Sequence, residues 1–275
     1  MSSAHARDRG LLNFPELVFA LAWKNLSLRY KQAYFGIAWM ILQPLLMVAI
    51  FLLVRAFVGI DSGDTPYPLL AYAALLIWRL FQDTASDGVN SIVTNAHLIR
   101  KIYFPREVFP LTAAATRLSE FAINFVVLLG LMAWYGVWPG VHVLWVPALV
   151  AYAVLAAWVI GFAGSAVNVR YRDVGAALPV VLSLAMYVSP IIYPMELVRE
   201  KLLLNEGAGE WSQALFLLYC ANPVAGLVDG FQRAMLTNHP PDFAVLWPGL
   251  ALTLSAVVPS YWWFKRAEAE FADII

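Results

Sequence analysis

Six apolar stretches follow one another along this chain, at residues 36–57, 67–87, 108–135, 144–167, 174–193 and 243–264. Each is close to or above the roughly 20 residues that a helix needs to cross a hydrocarbon core. Lipid offers no hydrogen bonds, so a spanning segment must pair its own backbone groups, and a helix does so within itself. The runs are continuous and do not alternate in polarity, which argues against a β-barrel. The expected fold class is therefore an all-α integral membrane protein with six transmembrane helices, arranged as a single transmembrane domain over residues 1–275.

Composition agrees with this reading. Hydrophobic residues make up 61% of the 275 and charged residues 13%, too little polar surface to cover a soluble globule of that size. The single Cys220 rules out an intrachain disulfide and any multi-cysteine metal site. Formal net charge is zero, which leaves nucleic-acid binding without electrostatic support. Residues 1–35 are mixed in charge and the first apolar run is full length, a pattern unlike a cleaved signal peptide.

Basic residues collect in cytoplasmic loops. With six spans, Arg7, Arg9, Lys24, Arg29, Lys31, Arg100, Lys101, Arg106, Arg170, Arg172, Lys265 and Arg266 fall on one side, whereas Arg199, Lys201 and Arg233 fall on the other. Both termini and the loops at 95–107 and 168–173 are expected on the cytoplasmic side.

Between the second and third stretches lies NAHLIRKIYFPREVFP, residues 95–110. Leu98, Ile99, Ile102 and Tyr103 share one helical face, Arg100 and Lys101 take the other, and Pro105 ends the turn. Such an element either docks on a partner or serves only to fix orientation. Ahead of the first stretch, residues 17–33 read as an interfacial helix carrying Lys24 and Arg29. The outer connection at 195–242 holds two apolar segments of about 11 and 13 residues, lengths that suit re-entrant or interfacial helices. Asn222-Pro223 separates them, because the residue before proline avoids the α region.

The second stretch carries Arg79, Asp83, Asp87 and Asn90 at three- and four-residue spacing, a polar stripe on one helix face. A charge at mid-bilayer costs at least about 2.5–3.5 kcal/mol, so each needs a partner, a cavity or an interfacial position. Arg79 and Asp83 are placed to neutralise one another. The stripe is either a self-paired feature of the bundle, the cytoplasmic extension of a long helix or the lining of a path, and Arg117 with Glu120 repeats the pattern in the third stretch. Most aromatic residues belong to interfacial belts. Tyr34, Phe35, Trp39, Tyr187 and Tyr193 are candidates to line a path instead, because an aromatic face packs on the C–H face of a sugar ring.

No lysine follows a glycine, so a Walker A loop is absent, as are G-x-S-x-G and H-E-x-x-H. The chain does not read as an enzyme or as carrying a cofactor or metal.

The stretch RYKQAYFGIAWMILQP at 29–44, the 95–110 segment, RYRDV at 170–174, SPIIYP at 189–194 and ANPV at 221–224 together resemble the membrane subunits of polysaccharide exporters. These are the ABC-2 type permeases for O-antigen, teichoic acid or capsule chains. The resemblance runs from about Leu17 to the C-terminus in the same order. It implies a homodimer bound below to two copies of a separate ABC ATPase, which holds the ATP and magnesium. It also implies a coupling helix that includes Asn95, His97, Leu98, Arg100, Lys101, Tyr103 and Phe104, an N-terminal gate helix and a re-entrant outer hairpin. The implied cargo is an undecaprenyl-diphosphate-linked glycan taken from membrane lipid, with Arg29 and Lys31 placed to attract the diphosphate. Two other classes stay open: an ion-coupled secondary transporter resting on Asp83 and Asp87, and an intramembrane lipid transferase using one of them as base.

Overall fold

The computed structural model describes residues 14–30, 38–59, 65–100, 105–204 and 211–271, and every regular element among them is helical. In chain order these are α1 (Phe14–Tyr30), α2 (Ala38–Val58), α3 (Tyr67–Thr94), α4 (Ala96–Ile99), α5 (Val108–Trp134), α6 (Val146–Asn168), α7 (Asp173–Val188), α8 (Met195–Arg199), α9 (Ser212–Cys220), α10 (Pro223–Gln232) and α11 (Phe243–Glu268). A tight helical turn, Val141–Trp145, leads into α6, and wide turns extend α8 and α10.

Four helical segments are long and apolar enough to cross a membrane: Ala38–Val58, Val108–Trp134, Val141–Asn168 and Phe243–Glu268. A fifth is added if α9 and α10, bent by 80° at their junction, count as one broken span. The protein is thus multi-pass, but two of the six expected stretches differ from a plain apolar span. α3 has 28 residues, about 42 Å of helix, and falls short only in hydropathy, because Arg79, Asp83 and Asp87 lie within it. α7 has 16 residues, about 24 Å, because Ser189 precedes Pro190 and leaves the helix with extended backbone.

α3 is the central helix. Leu69, Leu75, Ile77, Trp78 and Ile92 along it are fully buried, and it packs on α2, α5, α6, α7 and α10. Lipid supplies little hydrophobic drive between helices, so close backbone approach through small residues takes its place. Gly88 of α3 meets Gly161 of α6 back to back; a Cβ on Gly88 would sit 3.1 Å from the Gly161 Cα. Buried Ala157 and Ser165 flank Gly161 at four-residue intervals, so the contact face of α6 is a stripe of small side chains.

At one end of the bundle α10 is buried from Val224 to Gln232 and lies directly on α11. A Cβ on Gly226 would stand 2.6 Å from the Leu246 Cα, and one on Gly249 would stand 2.7 Å from the Pro223 Cα. Asn222 makes the bend, its Oδ1 accepting from the Val224 N–H at 3.1 Å while its Nδ2 donates to Ser189 Oγ at 2.9 Å. Two of the sequence motifs, SPIIYP and ANPV, therefore meet through one hydrogen bond. The opposite end, where Arg100, Arg106, Arg170, Lys265 and Arg266 gather, is called the basic end below.

Candidate functional site

The most concentrated polar chemistry lies between α3 and α5. The Arg117 guanidinium donates through Nε to Asp87 Oδ2 at 2.8 Å and through Nη1 to Asp83 Oδ2 at 3.2 Å and Glu120 Oε2 at 2.7 Å. Asp83 and Asp87 are one turn apart on α3, and the planar fork of arginine spans them as a lysine would not. Three carboxylates around one guanidinium leave two formal negative charges, or one when Arg79 is counted. Asn124 continues the network, donating to the Glu120 carbonyl at 3.0 Å and accepting from the Tyr72 hydroxyl at 3.0 Å.

This corrects the expected pairing of Arg79 with Asp83. Asp83 turns to Arg117 of the neighbouring helix, and Arg79 makes no ion pair with any described residue. A cation four residues ahead of an acid on a helix is the weaker of the two orders, so an interhelical partner wins.

Two polar clefts meet at this cluster. A cleft of about 360 Å³ between α2, α3 and α5 is lined by Trp39, Gln43, Tyr72, Arg79, Asp83 and Asn124. One of about 220 Å³ between α1, α3 and α5 is lined by Asn25, Asp87, Asn90, Thr94, Asn95 and Thr112 and reaches the basic end. Asp83 faces the first and Asp87 the second, so Arg117, holding both, forms part of the partition between them. Asn90 also ties three helices together. It donates to Gly175 O at 3.3 Å and accepts from Asn168 Nδ2 at 3.2 Å, while Asn168 Oδ1 accepts from the Gly175 N–H at 2.8 Å. That knot fixes the turn carrying RYRDV to α3 and α6.

At the basic end Asn95 closes α3, donating to Ser91 O at 2.8 Å. The single turn α4 then presents His97 and Arg100 outward, while Leu98 and Ile99 pack on the apolar cluster of Ile92, Phe109, Phe162, Phe264 and Phe271. Lys101, Tyr103 and Phe104 lie outside the described residues. The chain returns at Pro105 into a clamp made by the C-terminal end. Lys265 Nζ lies 2.7 Å from Glu107 Oε1, and the Tyr261 hydroxyl donates to the same oxygen at 3.1 Å. The Arg106 N–H donates to Glu268 Oε1 at 3.4 Å, its guanidinium bonds the Glu268 carbonyl, and its Cζ stands 5.8 Å from the centre of the buried Phe271 ring. Burial would raise the Glu107 carboxyl, but hydrogen bonds from Lys265 and Tyr261 outweigh it and hold it below the usual carboxylate range. In the sequence these C-terminal charges register only as orientation signals. The cue to the clamp is Phe271, a large apolar residue beyond the last span with no reason to face water.

Among the aromatic candidates, Trp39 lines the larger cleft. Tyr187 is exposed on α7, and the Tyr193 hydroxyl donates to Val188 O at 2.9 Å, its ring packed in the cluster of Met195, Phe216 and Cys220. Tyr34, Phe35 and Lys31 lie outside the described residues, and Arg29 falls in the last turn of α1, where only the backbone is described.

A multi-pass helical bundle that gathers three carboxylates on one guanidinium, with polar clefts on either side of it, suits a membrane transport subunit. The chain belongs to the ABC-2 type transporter family, whose model matches residues 16–204. It is similar to the O-antigen export system permease protein RfbA of Myxococcus xanthus, 25% identical over 268 residues, covering 97% of this chain and 98% of that one. Two Klebsiella pneumoniae proteins of the same description are also similar: one is 26% identical over 266 residues, covering 94% and 95% of the two chains. The other is 29% identical over 188 residues, covering 68% and 72%.

Proposed function

We propose that this chain is the membrane-spanning permease of an ABC exporter that moves a lipid-linked polysaccharide of the O-antigen kind out of the bacterial cytoplasmic membrane, driven by a separate ATPase. The observation that carries the reading is the end-to-end similarity to a permease of O-antigen export. In this reading α2, α3, α5, α6, α7 and α11 are the six spans, the α9–α10 pair is a re-entrant hairpin on the outer side, and both termini are cytoplasmic. The distribution of lysine and arginine supports that orientation.

Two copies of the chain enclose the path, and two ATPase subunits bind below. The outward His97 and Arg100 on α4, with Lys101, Tyr103 and Phe104 following, form the docking element. Force applied there reaches α3 through Asn95, α5 through Glu107, and α11 through the Lys265 and Glu268 contacts. Arg29 and Lys31 attract the diphosphate of an undecaprenyl-linked glycan at the cytoplasmic mouth, and Trp39 offers an aromatic face to its sugars. ATP and magnesium are held by the partner.

The two alternatives lose support from the charge cluster. An ion-coupled carrier needs a carboxylate able to take and release its ion, and a transferase needs a free base. Arg117 engages Asp83, Asp87 and Glu120 together. Arg100→Glu with Lys101→Glu tests the docking element. The reading expects loss of co-purification with the ATPase while membrane insertion is unchanged, and retention of both properties would remove the assigned role.

A further inference from the structure

A third concavity, of about 330 Å³, opens on the outside of the bundle at the basic end, between the last turn of α6, the turn after it and the last turns of α11. Its floor is made of small side chains, Ala166 and Ala267, where a helix pair would otherwise present a convex ridge. Tyr171, Trp262 and Trp263 form its walls and are 66%, 58% and 55% exposed. Tyrosine and tryptophan settle at headgroup depth. Here they flank a hollow, where an ordinary belt would lie flat on lipid.

The rim carries two guanidiniums, Arg170 and Arg266, against one carboxylate, Glu270. Arg170 meets Glu270 through Nη2, leaving further N–H donors on the same group. Arg266 makes no ion pair with a described residue; its Cζ stands 5.5 Å from the Trp262 ring centre, a cation–π contact that holds the charge over the groove.

We propose that this groove binds an anionic phospholipid of the adjacent leaflet, its phosphate between Arg170 and Arg266 and its proximal acyl carbons on Ala166 and Ala267 between the rings. The carbon-lined floor selects a lipid over a free anion, and the surplus positive charge selects an anionic headgroup over a zwitterionic one. The groove sits beside the C-terminal clamp, so the bound lipid braces the end of α11 that holds Glu107. The site is independent of the export reading.

The test uses the full-length protein in phosphatidylcholine nanodiscs doped with photoactivatable phosphatidylglycerol, with label mapped on peptides. The expected result is labelling at residues 166–171 and 262–270 that unlabelled phosphatidylglycerol displaces and phosphatidylcholine or inorganic phosphate does not. Loss of each guanidinium, in Arg170→Gln and Arg266→Gln, lowers labelling roughly fivefold. The paired lysine variants keep most of it, and Glu270→Gln increases it by freeing Arg170. Equal labelling by a photoactivatable phosphatidylcholine, indifference to both glutamine substitutions, or displacement by inorganic phosphate would each overturn the proposal.

Discussion

Arg117 Nε lies 2.8 Å from Asp87 Oδ2 while the same guanidinium reaches Asp83 one turn earlier, so a single side chain of α5 clasps two successive turns of α3. Removing one partner of a fully buried ion pair costs about 3–5 kcal/mol, and less here, where Asp83 and Asp87 are about a third exposed. Arg117→Leu should therefore lower the unfolding midpoint of the purified protein in nanodiscs by a large margin, and Arg117→Lys, which cannot span both carboxylates, by a smaller one. Substituting Asp83→Asn and Asp87→Asn in the Leu variant should restore part of the loss. A Leu variant that unfolds like the wild type would show that the cluster bears no structural load.

The clamp at the basic end is pH-dependent with a defined sign. The Glu107 carboxyl is held below its ordinary range, so its contribution is present above the unfolded value of about 4.3. It is lost as pH falls through the lower folded value. Lys265 reaches solvent although Glu107 is largely covered, so the effect is on the order of 1 kcal/mol. Thermal unfolding should separate wild type from Glu107→Gln at pH 7, and the two curves should converge below about pH 4. A separation that persists in acid would assign the effect to packing.

The bent α9–α10 pair is seated on α11 by a glycine. A Cβ on Gly226 meets the Leu246 backbone at 2.6 Å, and backbone cannot yield as a side chain can. Gly226→Ala should cost about 1–3 kcal/mol and loosen α10 from α11, read as faster hydrogen exchange in residues 223–232. Gly130→Ala, whose Cβ meets nothing within 4 Å, serves as the control and should leave exchange there unchanged.

Much of this molecule was legible before any coordinates. Each of the six apolar stretches is helical over most of its described residues, and of the amphipathic pattern read into 95–110 the described part, α4, has Leu98 and Ile99 on the core and Arg100 facing out. Periodicity fixed Asp83 and Asp87 on one face. It was blind to which neighbouring helix supplies their counter-charge, because within one segment Arg79 was the only cation in reach. The C-terminal clamp was hidden for the same reason: Glu107 and Lys265 are 158 residues apart and carry no local signal. The shortened α7 had a readable cue in Ser189-Pro190, outweighed by the apolar run that continues through Ile191 and Ile192.

Phe271 makes a prediction about coupling. Its ring is buried beside Phe264, with centroids 5.6 Å apart, and under Arg106. Phe271→Ala should cost up to about 3–5 kcal/mol in a fully packed site. In the assembled transporter it should leave ATPase association intact while lowering the cargo-stimulated part of ATP hydrolysis. Loss of association instead would place Phe271 in the docking surface.

As an exporter permease, this chain would convert a partner's ATP hydrolysis into export of a lipid-linked glycan. The direct measurement is to co-express it with candidate ABC ATPases, purify through a tag on this subunit, and follow ATP hydrolysis in nanodiscs with and without polyprenyl-diphosphate-linked glycan. The expected result is a stable complex whose hydrolysis rises with that lipid and not with the lipid carrier lacking its glycan. A permease that forms no complex with any candidate ATPase, or a complex indifferent to the glycan, would contradict it.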